Sequence, residues 1–147
     1  MAVIIDLADA VVAALNAATF SRPVAAERRW QAEEELETLK DLKVAVIPVT
    51  VPSIEALDRS RLVREVEVDV VVQKKTADLA ETDGLVALVE EIGNFLAMKR
   101  PTACPAAAWA GIACPVLCHP EHLRQYGLFT SVLALSYRVA GQDKTGA

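Results

Sequence analysis

Valine and acidic residues alternate along the segment from Arg61 to Lys75. Every second position near its centre is apolar: Val66, Val68, Val70 and Val72. The positions between them are acidic: Glu65, Glu67 and Asp69. A period of two over this length is typical of a β-strand with one buried face and one solvent-facing face. The β-branched segment from Lys43 to Val51 precedes it, so we predict that the two strands form a long antiparallel hairpin.

Two prolines bear on the first strand of this hairpin. Pro48 lies inside the strand, and because proline lacks a backbone N–H we expect it at a sheet edge or at a bulge. Pro52 ends the β-branched run. We therefore predict a polar connection with a mobile tip from Pro52 to Ser60, between the two strands.

Two segments carry apolar residues at the spacing of an amphipathic helix. The first runs from Val3 to Ala18 and ends before Pro23. The second begins at a cap formed by Thr82 or Asp83 and ends before Pro101. Its apolar face consists of Leu85, Leu88, Val89, Ile92, Phe95 and Leu96. We expect this face to be buried against the sheet, so that Phe95→Ala costs about 3 to 5 kcal/mol.

The rest of the chain predicts two further strands, around Trp109 to Leu117 and from Leu128 to Val139. One face of the last strand is apolar, with Phe129, Leu133, Leu135 and Tyr137. The order of elements predicts an α+β fold, a mainly antiparallel sheet with two amphipathic helices packed on one face. We assign residues 1–140 to a single domain and residues 141–147 to a flexible tail.

The segment from Val24 to Leu42 supports two interpretations. Its glutamates and alanines favour a helix, whereas alternation from Val24 to Trp30 favours a strand. Arg28, Arg29 and Trp30 within it are typical of a surface where long side chains cover apolar groups, or of a contact between subunits.

Composition narrows the classes of function. The net charge is −5 and no run of Lys or Arg exceeds a pair, so we expect no direct binding to nucleic acid. The first residues lack the pattern of a signal peptide, and the longest uncharged run is too short to span a membrane, which predicts a cytosolic protein. Hydrophobic residues make up 53% of the chain, which suits a subunit of an oligomer.

One group of residues has the side chains of a metal or nucleophile site: Cys104, Cys114, Cys118, His119 and His122. Their spacing approaches that of zinc ligands, but Pro115 and Pro120 interrupt it. Adjacent residues such as Cys118 and His119 seldom meet as nucleophile and base. We therefore expect free thiols, histidines in a surface loop, and no catalytic residue, metal or cofactor. Common enzyme motifs are absent as well.

The acidic face of the strand also has two interpretations. Glu65, Glu67 and Asp69 span about 13 Å along the strand, too far apart to act on one reacting group. They form either an ordinary solvated face or the negative lining of a channel, which would keep DNA from adhering to its wall.

Five segments, taken in order, resemble the tail terminator proteins of long-tailed bacteriophages, also called neck or tail-completion proteins. They are Ile5–Asn16, Asp41–Val44 leading to Pro48, Val70–Lys75, Leu85–Ile92, and His119–Leu123 leading to Phe129–Leu133. The resemblance covers most of the chain and rests on the whole set, because none of the segments is a catalytic motif.

This resemblance implies a non-enzymatic virion protein, assembled in the host cytoplasm as a homo-oligomeric, hexameric ring. Such a ring caps the tail tube and joins it to the head connector or stopper protein, and DNA passes through its lumen without specific binding. The resemblance also favours a strand from Val24 to about Ala32. Two alternatives stay open: a neighbouring virion ring protein, such as a head-side stopper or tail tube, and a small cytosolic metal-dependent enzyme using the cysteines and histidines.

Overall fold

A five-stranded sheet with two long helices on one face forms the framework of this protein. The computed structural model describes residues 3–32, 38–56, 61–76, 78–97 and 107–143. The strands are β1 (Ala26–Arg28), β2 (Lys43–Ala56), β3 (Arg61–Lys75), β4 (Ala107–Val116) and β5 (Leu128–Asp143). The helices are α1 (Val3–Ala17), α2 (Leu79–Leu96) and α3 (Pro120–Tyr126), and Thr38–Lys40 forms a 3₁₀ turn.

The strand order is β1-β2-β3-β5-β4, which places the strand with alternating valines at the centre. All pairs are antiparallel except the short parallel pair of β1 with β2. The predicted α+β class and the long β2–β3 hairpin are confirmed. The sheet is mixed because β1, the strand that follows α1, runs parallel to β2.

The core lies between this sheet and the two long helices. The side chains of Val66, Val68, Val70 and Val72 on β3 are buried there. The predicted apolar face of β5 is buried with them, and its largest members, Phe129 and Tyr137, are at most 1% exposed. The alternation in the sequence therefore predicted correctly which face of each strand the helices cover.

Pro48 lies at a bulge of β2, as predicted. The carbonyl of Val46 accepts a hydrogen bond from the Arg29 N–H on the outer side of β2, so by alternation Pro48 presents its missing N–H to that outer side. The pairing with β3 then shifts register between Pro48 and Thr50. The prediction of a polar connection from Pro52 was wrong in part: after the shifts, β2 continues to Ala56, opposite Leu62. Residues 57–60 lie outside the described part.

Helix α2 begins one turn before the predicted caps. Asp78 is the N-cap, and its side chain accepts a hydrogen bond of 2.8 Å from the Glu81 N–H. Glu81 in turn pairs with Lys74 at the end of β3, at 2.7 Å, so a tertiary contact stabilises the additional turn. Phe95 is only half-buried, edge-on to Phe20, which corrects the expectation of full burial. Helix α2 ends at Leu96, before Pro101 as predicted, and residues 98–106 lie outside the described part.

The first, described part of the ambiguous segment forms a short strand, and residues 33–37 lie outside the described part. Strand β1 covers Ala26–Arg28, within the range that the resemblance implied. The Asn16 side chain donates to the Ala26 carbonyl at 3.0 Å and accepts from its N–H at 2.7 Å. Because β2 pairs with the other side of β1, partners on both sides override the helix propensity of this segment.

Helix α3 is an element that the sequence analysis missed. Pro120 opens it and Gly127, with a φ of 61°, closes it in the left-handed region. Strand β5 continues past Val139 to Asp143, which pairs with Arg61. Residues 141–143 therefore belong to the sheet and not to a flexible tail.

Candidate interaction surface

The predicted acidic residues form a row on the face of the sheet opposite α1 and α2. Glu65, Glu67 and Asp69 are half-buried, whereas Val66, Val68 and Val70 between them are at most 1% exposed. We call Glu65, Glu67 and Asp69 the acidic row. Neighbouring members lie about 7 Å apart along β3, so each meets the side chains of the flanking strands more closely than it meets the next acid.

The environment changes from one end of the acidic row to the other. Asp69 lies between the apolar residues Ile47 and Ala134 of the flanking strands, and Glu67 pairs with Ser136 of β5. At the other end, Arg138 Nε lies 3.6 Å from Glu65 Oε1. Glu65 therefore has a cationic neighbour, whereas Asp69 faces apolar residues on both flanking strands.

The pKa of Asp69 reflects its surroundings. Burial raises the pKa of Asp69 above its ordinary value of 3.8, and the neighbouring Glu67 carboxylate raises it further. A raised pKa in the folded state means that folded Asp69 binds its proton more tightly than unfolded Asp69. Ionisation of Asp69 therefore lowers stability as the pH rises from about 4 through the folded-state pKa.

Asp69→Asn should consequently stabilise the protein at neutral pH, by up to about 0.5 kcal/mol. The gain should vanish below about pH 4, where the carboxyl is protonated in both the folded and the unfolded state. Urea unfolding across this pH range measures it. Glu65→Gln, the matched change beside Arg138, should give no gain, and a loss of stability in Asp69→Asn at neutral pH would contradict the argument.

The predicted contact residues Arg28, Arg29 and Trp30 lie where β1 ends. Arg28 Nε bonds Asp9 Oδ1 of α1 at 2.8 Å, and Arg29 pairs with Glu27 at 3.2 Å. The Arg28 guanidinium stands 5.7 Å from the centre of the Trp30 ring. Trp30 is 66% exposed, so this segment presents an aromatic ring and two ion-paired arginines at one edge of the sheet.

The cysteines and histidines come together only in part. The His119 and His122 rings stack with their centres 4.0 Å apart. His119 is the N-cap of α3, its Nδ1 accepting from the His122 N–H, and His122 Nδ1 lies 3.1 Å from Thr130 Oγ1. They therefore organise a helix, which corrects the prediction of a loop. Cys104 lies outside the described residues.

Of the two thiols in the described residues, that of Cys118 has an environment that disfavours the reactive thiolate. Cys114 and Cys118 are both free. Burial raises the pKa of the Cys118 thiol, whereas catalytic cysteines need a lowered pKa. Within the described residues, no group of three or more His, Cys, Asp or Glu side chains has the geometry to hold a metal ion.

We expect purified protein to contain three titratable thiols and no stoichiometric metal. Thiol titration after unfolding counts the free cysteines, and elemental analysis measures zinc. The spacing of the cysteines and histidines lacks the convergence that a tetrahedral site requires. Near-equimolar zinc, or fewer than three thiols, would favour the alternative of a metal-dependent enzyme.

A groove between α2 and β4 escaped the sequence analysis. It measures about 640 Å³, and its lining includes Val89, Glu90, Gly93, Ile112 and Leu133. The one signal in the sequence is Gly93, a residue without a side chain on the apolar side of an otherwise regular helix. A glycine in such a position often marks space beside a helix, but it does not reveal which strand lies opposite.

The chain matches no model of a protein family and no curated protein. Among the helices in the described parts of the chain, none has both the length and the apolar character needed to cross a membrane.

Proposed function

We propose that this chain is a structural subunit of a bacteriophage neck, of the tail terminator type. In this role, copies of the chain form a hexameric ring that caps the tail tube and joins it to the head connector. The proposal rests on the resemblance of five segments to that family. The observation that carries it is the acidic row on a long, central strand, on the sheet face opposite the two long helices.

The dimensions of the sheet support this role. Strand β3, with 15 residues, extends about 50 Å, and β5 pairs with it from Arg61 to Lys75. Helices α1 and α2 extend only about 22 and 27 Å. A sheet much longer than its helices offers a surface that copies of the chain can arrange around a passage.

The charge of that surface supports it as well. DNA carries a negative charge about every 1.7 Å along its axis, so it binds readily to positive walls. Carboxylates along a passage repel phosphate, and at a Debye length of about 8 Å they act only near the wall. The acidic row therefore suits a wall along which DNA moves without specific binding.

Imaging of assembled particles tests the proposal most directly. A gold label on this chain should mark the junction between head and tail, and mass photometry of purified protein, with and without tail tubes, should detect rings. A label along the whole tail, or on the head side of the junction, would favour a tube or stopper protein. A strict monomer that never associates with tubes would exclude the ring.

A further inference from the structure

The two histidines of this chain meet at the start of helix α3. The rings of His119 and His122 stack with their centres 4.0 Å apart and their planes at 25°. We call these two residues the histidine pair. The chain contains two histidines, so any response of the protein to the titration of imidazole, which in water occurs near about pH 6.5, originates in this pair.

His119 caps α3 with a nitrogen that is an acceptor only while the ring is neutral. Its Nδ1 accepts a hydrogen bond of 3.3 Å from the His122 N–H, and its carbonyl accepts one of 3.1 Å from the Leu123 N–H. A protonated imidazole carries a hydrogen on both nitrogens and accepts at neither. Protonation of His119 therefore removes the side-chain cap and turns one donor toward another.

His122 contacts the sheet through a hydrogen bond that tolerates a proton. Its Nδ1 lies 3.1 Å from the Oγ1 of Thr130, a side chain that is 7% exposed. A threonine hydroxyl both donates and accepts, so it can pair with an imidazole or with an imidazolium. The histidine pair can thus take up one proton, on His122, while α3 stays in place. A second proton must bind His119, where it breaks the cap and sets two positive rings 4.0 Å apart.

The groups on α3 and just before it do little to offset a second charge. The Glu121 carboxylate is already paired with Arg124, at 2.6 Å. The Tyr126 ring stands edge-on to that of His122, with centres 6.3 Å apart, and contributes no negative charge. Burial raises the pKa of the Cys118 thiol, so Cys118 stays uncharged as well.

The strands under α3 do not offset it either. Leu128 and Thr130 lie on one face of β5, and their partners on β3 are Lys75 and Gln73. Of these four residues only Lys75 is charged, and it is a cation. Within the described strands that face the histidine pair, positive charge therefore adds to the repulsion of a second proton.

Helix α3 has little other stabilisation. It has seven residues and none of them is buried, so no apolar face anchors it, and a helix this short is not stable by itself. Backbone hydrogen bonds hold its two ends: the His119 N–H donates to the Thr130 carbonyl at 3.0 Å, and the Thr76 N–H donates to the Gly127 carbonyl at 2.8 Å. Loss of the cap can therefore unwind the helix between two fixed ends.

We propose that the histidine pair is an acid-sensitive switch, which keeps α3 folded on β5 with one proton or none and unwinds it when both rings are protonated. Folded α3 requires a neutral His119, so its stability is present at neutral pH and is lost as the pH falls through the second protonation. Thr130 follows Phe129 of the core and so lies on the sheet face that carries the acidic row. Unwinding uncovers Thr130 on that face. The switch belongs to the single chain and does not depend on the proposed function.

Titration of the full chain from about pH 7.5 to about pH 4.5 tests the proposal. The NMR signals of the two imidazole rings should show two separate protonation steps. The N–H groups of Leu123 and Gly127 bond within α3, and their hydrogen exchange reports its unwinding. After correction for the intrinsic effect of pH, their exchange should accelerate by about tenfold across the second step and not across the first, since loss of a cap has an effect of this size.

His119→Asn is the matched variant, because asparagine caps a helix and does not titrate. Its α3 should stay protected over the whole range. Asp69→Asn removes the carboxyl with the raised pKa in the acidic row and should keep the parental response. Equal protection of parental α3 at both ends of the range, or the same acceleration in His119→Asn, would overturn the proposal. So would loss of protection at neutral pH in both His119→Asn and His119→Asp, since residue 119 would then not be the cap.

Discussion

Ile92→Ala should lower the free energy of unfolding by about 2 to 5 kcal/mol. The Ile92 side chain is fully buried on α2 and belongs to the core cluster with Leu88 and Leu133. Its truncation removes apolar contacts and leaves a cavity that the long strands of the sheet cannot collapse to fill. Such a loss is a large part of the stability of a typical domain. Urea unfolding, with the slope checked for two-state behaviour, measures it.

Phe95→Ala is the informative comparison. The apolar pattern alone predicts a cost of about 3 to 5 kcal/mol for this larger residue, but Phe95 is half-buried against Phe20. We therefore expect Phe95→Ala to be less destabilising than Ile92→Ala. Two results would contradict this argument: a parental Tm for Ile92→Ala, or a larger loss of stability for Phe95→Ala than for Ile92→Ala. Either would mean that α2 presents a different face to the sheet.

Reversal of the acidic row to lysine should slow the passage of DNA through assembled particles by about tenfold or more. Glu65→Lys, Glu67→Lys and Asp69→Lys together replace repulsion of phosphate by attraction at the wall. The three side chains lie on the sheet face that the long helices do not cover, so their replacement leaves the core intact and the particles should still assemble. The rate of DNA ejection from purified particles is the measurement.

The matched control reverses the same number of exposed carboxylates away from the row: Asp41, Asp83 and Glu121. It makes the same change in net charge, and we expect ejection at the parental rate. Because screening confines the effect of a charge to about 8 Å, only carboxylates at the wall should matter. Triple-lysine particles that eject DNA like the control would leave the acidic row as an ordinary solvated face.

Elements whose apolar residues recur at a regular spacing were predictable from the sequence. The valines of β3 and the apolar face of β5 identify both strands and the side that each buries. With one core to pack against, an alternating strand can bury its apolar residues in only one orientation. Errors arose where a tertiary contact decides the outcome. Lys74 stabilises the added first turn of α2 through Glu81, and Asn16 satisfies both backbone groups of Ala26 in β1. These partners stand seven and ten residues apart, beyond the spacings that helix or strand periodicity compares.

Of the candidate surfaces, one was predictable from the sequence and one was not. The acidic row was predictable because its members follow the period of one strand. The groove between α2 and β4 was not, since it depends on which strand lies opposite Gly93, and that follows from the strand order. Helix α3 was missed because it has no buried residue and hence no apolar period; its signals are the cap His119, Pro120 and the left-handed Gly127.

The strand order also has a consequence for how the chain folds. Strand β3 receives β2 as a hairpin partner from the adjacent sequence. Its other side stays unpaired until β5 is available, since Val70 pairs with Leu133 near the far end of the chain. Pairings so distant in sequence form slowly. During synthesis, β3 therefore remains a bare edge until almost the whole polypeptide has left the ribosome. Glu65, Glu67 and Asp69 interrupt its valines during that interval, and charges so placed keep a nascent strand from joining the strands of other unfinished chains.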